Sequence, residues 1–480
     1  GDEMKNFFDK TRNLAQAVIL VFACVVFVAA DEPIQHKLTV KSFIDFGHLV
    51  RGTNPYDPQG DPHISALPLN RTGVLAIQDV SVGRFDVSAG LGGLIWWPYG
   101  GGITDADERV MQVKPTIPVA RARWQFGSPS SVAGSLMVGT FSYKYNPDAK
   151  NLGEYLYRAG TYPGFLWTTE GWLLMNRANN YSNGVLLSLS QFKGMLKHNF
   201  SLFMETQYYP VGDFSPGYDL AFTSDWVELG GGVVLNHFLP LHPSALKPKD
   251  DENTYVRAVD TANDTTVFYY GPKNAAPFDL TSPTIRDIDT LHRWTHKGVK
   301  VMGRAALKLG SLLPDGMRGP EDLRIFAEAA VLGWENQPLY YEKRSERMPI
   351  MFGINLPTLK TLDVLSVQGE YYSSPFNDID RYNSASLPIW EAHFEKDPVS
   401  GRALTDANGK VIPTSVHKDD WKWSIYAKKT VNKAITVYAQ AASDHLRLMS
   451  GPRQVKTSNV ALTSSPKEWY YLIRMEFSLR

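Results

Sequence analysis

The chain has a single cysteine, Cys24, among 480 residues, and no excess of charge, since 49 Lys and Arg balance 49 Asp and Glu. One cysteine makes no intrachain disulfide, so cross-links do not brace the fold. Balanced charge leaves no basic surplus to neutralise phosphates, which argues against nucleic acid as a partner. Long apolar runs are also lacking. The longest, Ala17 to Ala30, has 14 residues, short of the roughly 20 that a spanning helix needs. Internal repeats, charge blocks and low-complexity tracts are absent as well, which removes support from propellers, solenoids and disordered tails.

The amino-terminal run fits an export signal. Lys5, Lys10 and Arg12 precede it, and Val28-Ala29-Ala30 puts small residues before Asp31. Residues 1–30 are read as a removable signal peptide and 31–480 as a single domain. Val21-Phe22-Ala23-Cys24 gives a rival, lipobox-like reading, but Phe22 is bulky and the apolar run continues past Cys24.

What is present is alternation. In the last strand-like run, Trp469, Tyr471, Ile473, Met475, Phe477 and Leu479 interleave with Tyr470, Leu472, Arg474, Glu476 and Ser478. Period two sends these sets to opposite faces of a strand. An apolar, aromatic-ended face opposite a charged one is what a strand needs between lipid and a wet lumen. The same split puts Val299, Val301, Gly303, Ala305 and Leu307 outward against Lys300, Met302, Arg304, Ala306 and Lys308. It puts Leu323, Ile325, Ala327, Ala329 and Val331 outward against Arg324, Phe326 and Glu328, and Phe85, Val87, Ala89, Leu91 and Ile95 outward against Arg84 and Asp86. Reversing a register would set an arginine near the bilayer midplane at about 2 to 4 kcal/mol. Aromatics at Trp96-Trp97, Tyr143 and Tyr145, Tyr208-Tyr209, Tyr371-Tyr372, and Trp421 with Trp423 are placed at headgroup level.

Alternation bounded by turn residues predicts sixteen strands, beginning near Lys37, Val80, Arg109, Val132, Phe165, Asn183, His198, Gly217, Val227, His296, Glu321, Arg347, Thr361, Trp421, Ala434 and Glu468. Fourteen or eighteen follow if weak stretches such as Phe165 to Asn176 are read otherwise. The fold class is thus all-β: a transmembrane, antiparallel, up-and-down β-barrel with long extracellular loops. Short connections at Ser224-Asp225-Trp226, Val431 to Lys433, Pro357 to Lys360 and Lys193 to Lys197 fall on the periplasmic side. The long ones, Leu239 to Thr295, Ser374 to Asp420 and Arg51 to Asp79, fall outside. Two connections break the pattern: Gly127 to Ser131 is short although outside, and Asn146 to Gly164 is long although inside, with a small helix expected over Asn151 to Arg158. The competing fold is a soluble β-sandwich or jelly roll. Its strands average about 5 or 6 residues, shorter than Arg109 to Phe126 or His296 to Gly310.

Signal, amphipathic strands and aromatic ends together resemble bacterial outer-membrane β-barrels of the porin type. The resemblance covers nearly all of 31–480 and implies an outer-membrane location, with lipid around the wall. It also implies insertion by the barrel assembly machinery, whose carboxy-terminal signal Phe477 and Leu479 fit while Arg480 departs from it. No motif ties the chain to a subfamily of known substrate.

The expected pore-lining residues are Arg84, Asp86, Arg121, Arg123, Glu205, Glu228, Lys300, Arg304, Lys308, Arg324, Glu328, Glu370, Lys428, Arg474 and Glu476. Cations outnumber acids among them, and a wall of that kind favours anionic or polar solutes. The plainer reading is that the charges pair across neighbouring strands. Arg121, Arg123 and Arg304 are the foremost candidates. Tyr181-Ser182-Asn183-Gly184 resembles part of an outer-membrane phospholipase motif, but Asn180 stands where those enzymes have histidine, so a turn is the preferred reading. His292 and His296, and the acids Asp250, Asp251, Glu252, Asp260 and Asp264, lack metal-site order. Gly230 to Gly232 have no following helix to cradle phosphate and mark close approach between strands. No catalytic set, metal or cofactor is expected. A passive channel for small hydrophilic solutes with mild anion preference follows most simply. The alternatives are a non-conducting structural or surface-interaction barrel, as a homo-oligomer or in an envelope complex, and, third, an outer-membrane hydrolase.

Overall fold

The structure is a computed structural model that describes residues 33–53, 63–64, 67–96, 112–157, 181–204, 213–236, 238–239, 254–262, 265–271, 283–291, 298–334, 343–374, 419–444, 463 and 465–479. Sixteen long strands form one antiparallel sheet. They are β1 (Gln35–Thr53), β2 (Arg71–Val82), β3 (Phe85–Trp96), β4 (Gln112–Gly127), β5 (Val132–Ser142), β6 (Tyr181–Gln191), β7 (Leu196–Met204) and β8 (Phe214–Thr223) in the first half. The second half holds β9 (Val227–Asn236), β10 (Gly298–Lys308), β11 (Arg324–Val331), β12 (Ile350–Asn355), β13 (Val364–Ser374), β14 (Asp419–Thr430), β15 (Ile435–Ala442) and β16 (Trp469–Leu479).

Each strand pairs with its sequence neighbours, and β1 pairs with β16 from Val40↔Leu479 to Arg51↔Trp469. That ladder closes the sheet, so no edge is left with unpaired backbone groups. Two short bridges, His63–Ile64 and Leu67–Pro68, fold back on β1. In the long connection after β9, Thr254–Asp260, Thr265–Gly271 and Ile285–Leu291 form a separate three-stranded sheet. Among the described residues no helix is long and apolar enough to cross a membrane, and the crossing elements are strands.

Registers follow the alternation. On β16, Tyr470, Leu472, Arg474 and Glu476 are buried while Tyr471, Ile473, Phe477 and Leu479 are exposed. On β10 and β11, Lys300, Arg304, Phe326 and Glu328 are buried and Leu307 and Ile325 exposed. The outer wall is therefore apolar and the inner wall polar.

Membership of the strand set differs from expectation in two places. The expected outer connection Arg51 to Asp79 contains β2, which meets β3 through the two-residue turn at Gly83 and Arg84. Sequence alternation is blurred there because Leu75 points inward and is fully buried, making Val74 to Ile77 an unbroken apolar run. The candidate strand from Phe165 lies outside the described residues. With β2 counted, the connection at 128–131 lands at the end where β1 starts and β16 stops, called the terminal end below. The segment after β5 starts from the opposite, loop end. Both exceptions to the short-turn pattern disappear.

Three local expectations also change. Residues 151–157 form bends and turns, not a helix, and Arg158 lies outside the described residues. Tyr181 to Gly184 is not a turn but the first part of β6. Tyr143 and Tyr145 leave the end of β5 and turn into the barrel instead of sitting at headgroup level, as their hydrogen bonds to Asp219 and Glu328 require.

Candidate functional site: the barrel lumen

The segment 143–157 enters the barrel and crosses it. Near its start Tyr143 donates to Asp219 of β8, and at its end Tyr157 meets Ser201 of β7 at 2.9 Å. Between them Asp148 takes Arg324 at 2.8 Å and Lys150 reaches Glu321 at 2.5 Å, close to the terminal end of β11. Asn151 then donates to Ser424 of β14 at 3.2 Å and to Asp444 at 2.5 Å, while its backbone N–H and that of Leu152 donate to Gln368 of β13. Opposite walls are thus joined through one segment.

Glu328 on β11 is the hub. It accepts the Tyr145 hydroxyl at 2.6 Å, Asn146 Nδ2 at 2.5 Å, and the backbone N–H groups of Glu154 at 3.0 Å and Tyr155 at 2.9 Å. Tyr155 donates in turn to Glu370 at 2.7 Å, and its carbonyl accepts Lys300 Nζ at 3.2 Å. Leu152, Tyr155 and Leu156 pack with Val234, Met302, Phe326 and Met351 from the wall. Glycines clear the space. A side chain on Gly232 would meet Leu156 Cδ1 at 2.6 Å, and one on Gly217 would meet the Tyr157 hydroxyl at 2.8 Å. Gly153, at φ +89°, turns the segment back on itself. Burial, with Asp219 or Glu328 alongside, pushes the Tyr143 and Tyr145 phenols up, which keeps both as donors. Burial also raises the Asp148 carboxyl, while Arg324 and Lys150 pull it down.

The expected lining residues distribute as follows. Arg304 pairs with Glu228 at 2.6 Å, and Lys308 and Arg324 approach the same carboxylate at 3.7 and 3.6 Å. With Asp148, Lys150 and Glu321 they set four cations against three carboxylates at the terminal end of the lumen. Gly230 makes room, since a Cβ there would meet Arg304 Nε at 2.6 Å. Arg123 pairs with Asp86 at 2.6 Å, which also accepts Ser81 and Gln125. Arg121 rests on Ser88 at 3.4 Å and Met137 Sδ at 3.6 Å, with no ion pair among the described residues. Arg474 holds Asp45 through two hydrogen bonds of 2.7 and 2.9 Å and lies over the Phe43 ring at 3.8 Å. Glu476 pairs with Lys41 at 3.0 Å, and Lys428 lies 5.4 Å from the Tyr438 centroid. Arg84 sits in the exposed β2–β3 turn and not on the wall. Glu205 lies outside the described residues. Arg121 and Arg123 stand on β4 and Arg304 on β10, six strands apart, with Arg123 bound to Asp86 and Arg304 to Glu228, so the three do not form one cluster.

Sequence reasoning missed Asp45, Arg71, Asp219 and the whole set on 143–157. Asp45 and Asp219 carried the usable signal, since each alternates with outward residues on its strand. Arg71 binds Asp45 at 2.7 Å but was hidden with β2. Ser182 faces inward from β6 and is buried. His48 and His198 face outward against Tyr471 and Tyr218, so neither reaches Ser182 as a base.

Comparison with known proteins adds little to this picture. No family model matches the chain, and no curated protein does. Among solved structures, a triple mutant of the Rhodopseudomonas blastica porin aligns over 93% of this chain and 100% of its own, at 8% identity and a TM-score of 0.38. The outer-membrane channel DcaP of Acinetobacter baumannii aligns over 93% and 97%, at 10% identity and 0.38. OmpT of Vibrio cholerae, expressed in the outer membrane, aligns over 93% and 98%, at 10% identity and 0.38. The class rests on the closed ladder itself: the chain is an antiparallel β-barrel of sixteen strands with an apolar outer wall and a polar lumen, as in porin-type outer-membrane barrels.

Proposed function

We propose that the chain is a porin-like passive channel for small hydrophilic solutes in a bacterial outer membrane, narrowed by 143–157. The observation that carries the reading is a polar lumen inside a closed sixteen-stranded barrel, since barrels of about 16 to 18 strands leave an aqueous channel. The terminal end faces the periplasm, because the short turns cluster there. Residues 1–30 act as the export signal, and the barrel assembly machinery inserts 31–480.

Mild anion preference belongs to the proposal and rests on Arg121. Most other inward cations spend their charge on Asp45, Asp86, Asp148, Glu228 or Glu476. An unpaired guanidinium acts on a passing solute more than a neutralised one does.

A second reading, a non-conducting barrel that serves as an envelope scaffold or oligomer, is favoured by one observation: 145–156 is buried at every residue but Pro147, with contacts to both walls. Conductance of the refolded protein in a planar bilayer separates the two. Discrete ohmic steps support the channel; a sealed bilayer with correctly folded protein supports the scaffold.

A further inference from the structure

The outer wall over β10 to β14 is not smooth. A groove of about 790 Å³ runs along it, with Ala327 and Gly369 on its floor and Leu307, Ile325, Phe352 and Trp421 beside them. That is space for roughly 25 groups of water size at about 30 Å³ each. The floor exists because small outward residues stand between large ones, and Phe352 lies across its partner Gly369, where a Cβ would meet Phe352 Cζ at 2.6 Å.

Three lysines stand at the terminal end of the strands that carry this groove, and none of them lines it. Lys360 belongs to the connection between β12 and β13, two of the groove strands, and follows Leu359 with φ of 53° and 66° at the two residues. Such values are uncommon away from glycine, and both side chains are exposed. Lys429 is an outward residue of β14, and its amine donates to the Lys360 carbonyl at 2.8 Å. Lys433 is exposed in the β14–β15 turn, beside Val431, which is also exposed. The two connections are tied where Asp363 accepts the Thr430 N–H at 2.7 Å. None of the three lysines makes an ion pair among the described residues; the Lys360 amine donates to the Asp315 carbonyl at 3.3 Å, and the Asp315 carboxylate pairs with Arg318 at 3.8 Å.

Depth fits the arrangement. Eight residues separate Trp421 from Lys429, about 27 Å of strand and roughly 20 Å of depth at a tilt of about 40°. That approaches the apolar band of about 25 Å, so Trp421 marks one interface and Lys429 the other. Exposed Leu359 and Val431 beside unpaired lysines suit the boundary between acyl chains and headgroups.

We propose that groove and lysines form a binding site for an anionic phospholipid of the periplasmic leaflet. Its phosphate sits among Lys360, Lys429 and Lys433, and one acyl chain lies in the lower half of the groove. The proposal rests on the barrel standing in an outer membrane with its terminal end toward the periplasm.

The test is native mass spectrometry of the full chain, refolded in detergent micelles with equal phosphatidylglycerol and phosphatidylcholine of identical chains. The expected result is preferential retention of phosphatidylglycerol. Lys360→Gln, Lys429→Gln and Lys433→Gln together should abolish the preference, each lysine contributing on the order of fivefold. Ala327→Phe, which fills the groove, should lower retention of both lipids. Equal retention of the two lipids by the parental chain overturns the proposal. So does displacement of the lipid by millimolar inorganic phosphate, which would mark a phosphate site without a groove. Loss of a dimer on Ala327→Phe with lipid retention unchanged also overturns it, by assigning the groove to a second copy. The same samples run boiled and unboiled on a gel keep the two readings apart: a heat-shifted barrel band without lipid preference refutes the site and leaves the barrel standing.

Discussion

Replacing Glu328 by Gln removes one charge from the point where 143–157 is fastened, and its cost can be worked from the geometry. Oε1 accepts Tyr145 and the Tyr155 N–H, and Oε2 accepts Asn146 and the Glu154 N–H. An amide keeps one oxygen and turns the other into an NH₂ that faces two donors. Two charge-assisted hydrogen bonds are lost, at about 1.5 to 3 kcal/mol each, so the gross cost is about 3 to 6 kcal/mol. Relief from burying an unpaired charge offsets part of this. A remainder of about 1.4 kcal/mol already raises the undocked population tenfold. Gly232→Val provides a second route to the same state, by pushing Leu156 off the wall. In a planar bilayer Glu328→Gln should show larger or noisier conductance steps than the parent, and limited proteolysis should cut near 143–157. Glu328→Gln leaves the barrel ladder untouched, so its heat-shifted gel band should persist. Conductance and proteolysis indistinguishable from the parent would refute the idea that Glu328 holds the segment in place.

Three further outcomes are expected. Arg121→Glu should shift the reversal potential in a salt gradient toward cations with little change in folding; Arg304→Glu is unsuited to that test, because it would set a carboxylate against Glu228, and an unchanged potential would remove Arg121 from any selectivity role. Ile473→Arg places a guanidinium on the outward face of β16 and should cost about 2 to 4 kcal/mol in urea titrations of the vesicle-embedded protein, whereas a cost near zero would put Ile473 in water. Deleting Phe477 to Arg480 removes the pairings of Phe477 with Ser42 and with Ile435 and should impair insertion; normal surface labelling of the truncated chain would show that closure does not need them.

The fold was largely legible because lipid on one side and water on the other impose a strict period-two pattern, and β3, β10, β11 and β16 obey it residue by residue. β2 was lost for a local reason: its inner face carries Leu75 and Ile77 where water-facing strands carry polar groups. The lumen was legible only on the wall. Alternation assigned Glu328 inward, yet nothing in the sequence says that Tyr145, Asn146, Glu154 and Tyr155 come back to it from more than 170 positions away. Charge pairing was hidden for the same reason, since it depends on which strands are neighbours. Arg304 with Glu228 joins β10 to β9, but Arg324 with Asp148 joins the wall to the inward segment. Gly230 and Gly232 mark close approach as expected, Gly231 meets only Met302 O at 3.5 Å, and Gly217 is a further close approach that the sequence did not single out.

The central claim is that hydrocarbon, not water or protein, lies against the odd-numbered residues of β16 and water or protein against the even-numbered ones. The most direct measurement is fluorescence quenching by brominated lipid acyl chains at single labelled cysteines placed from Tyr470 to Met475 in the refolded protein. The account predicts strong quenching at Tyr471, Ile473 and Met475 and weak quenching at Tyr470, Leu472 and Arg474. Uniform quenching along the run, or none at any position, would contradict it.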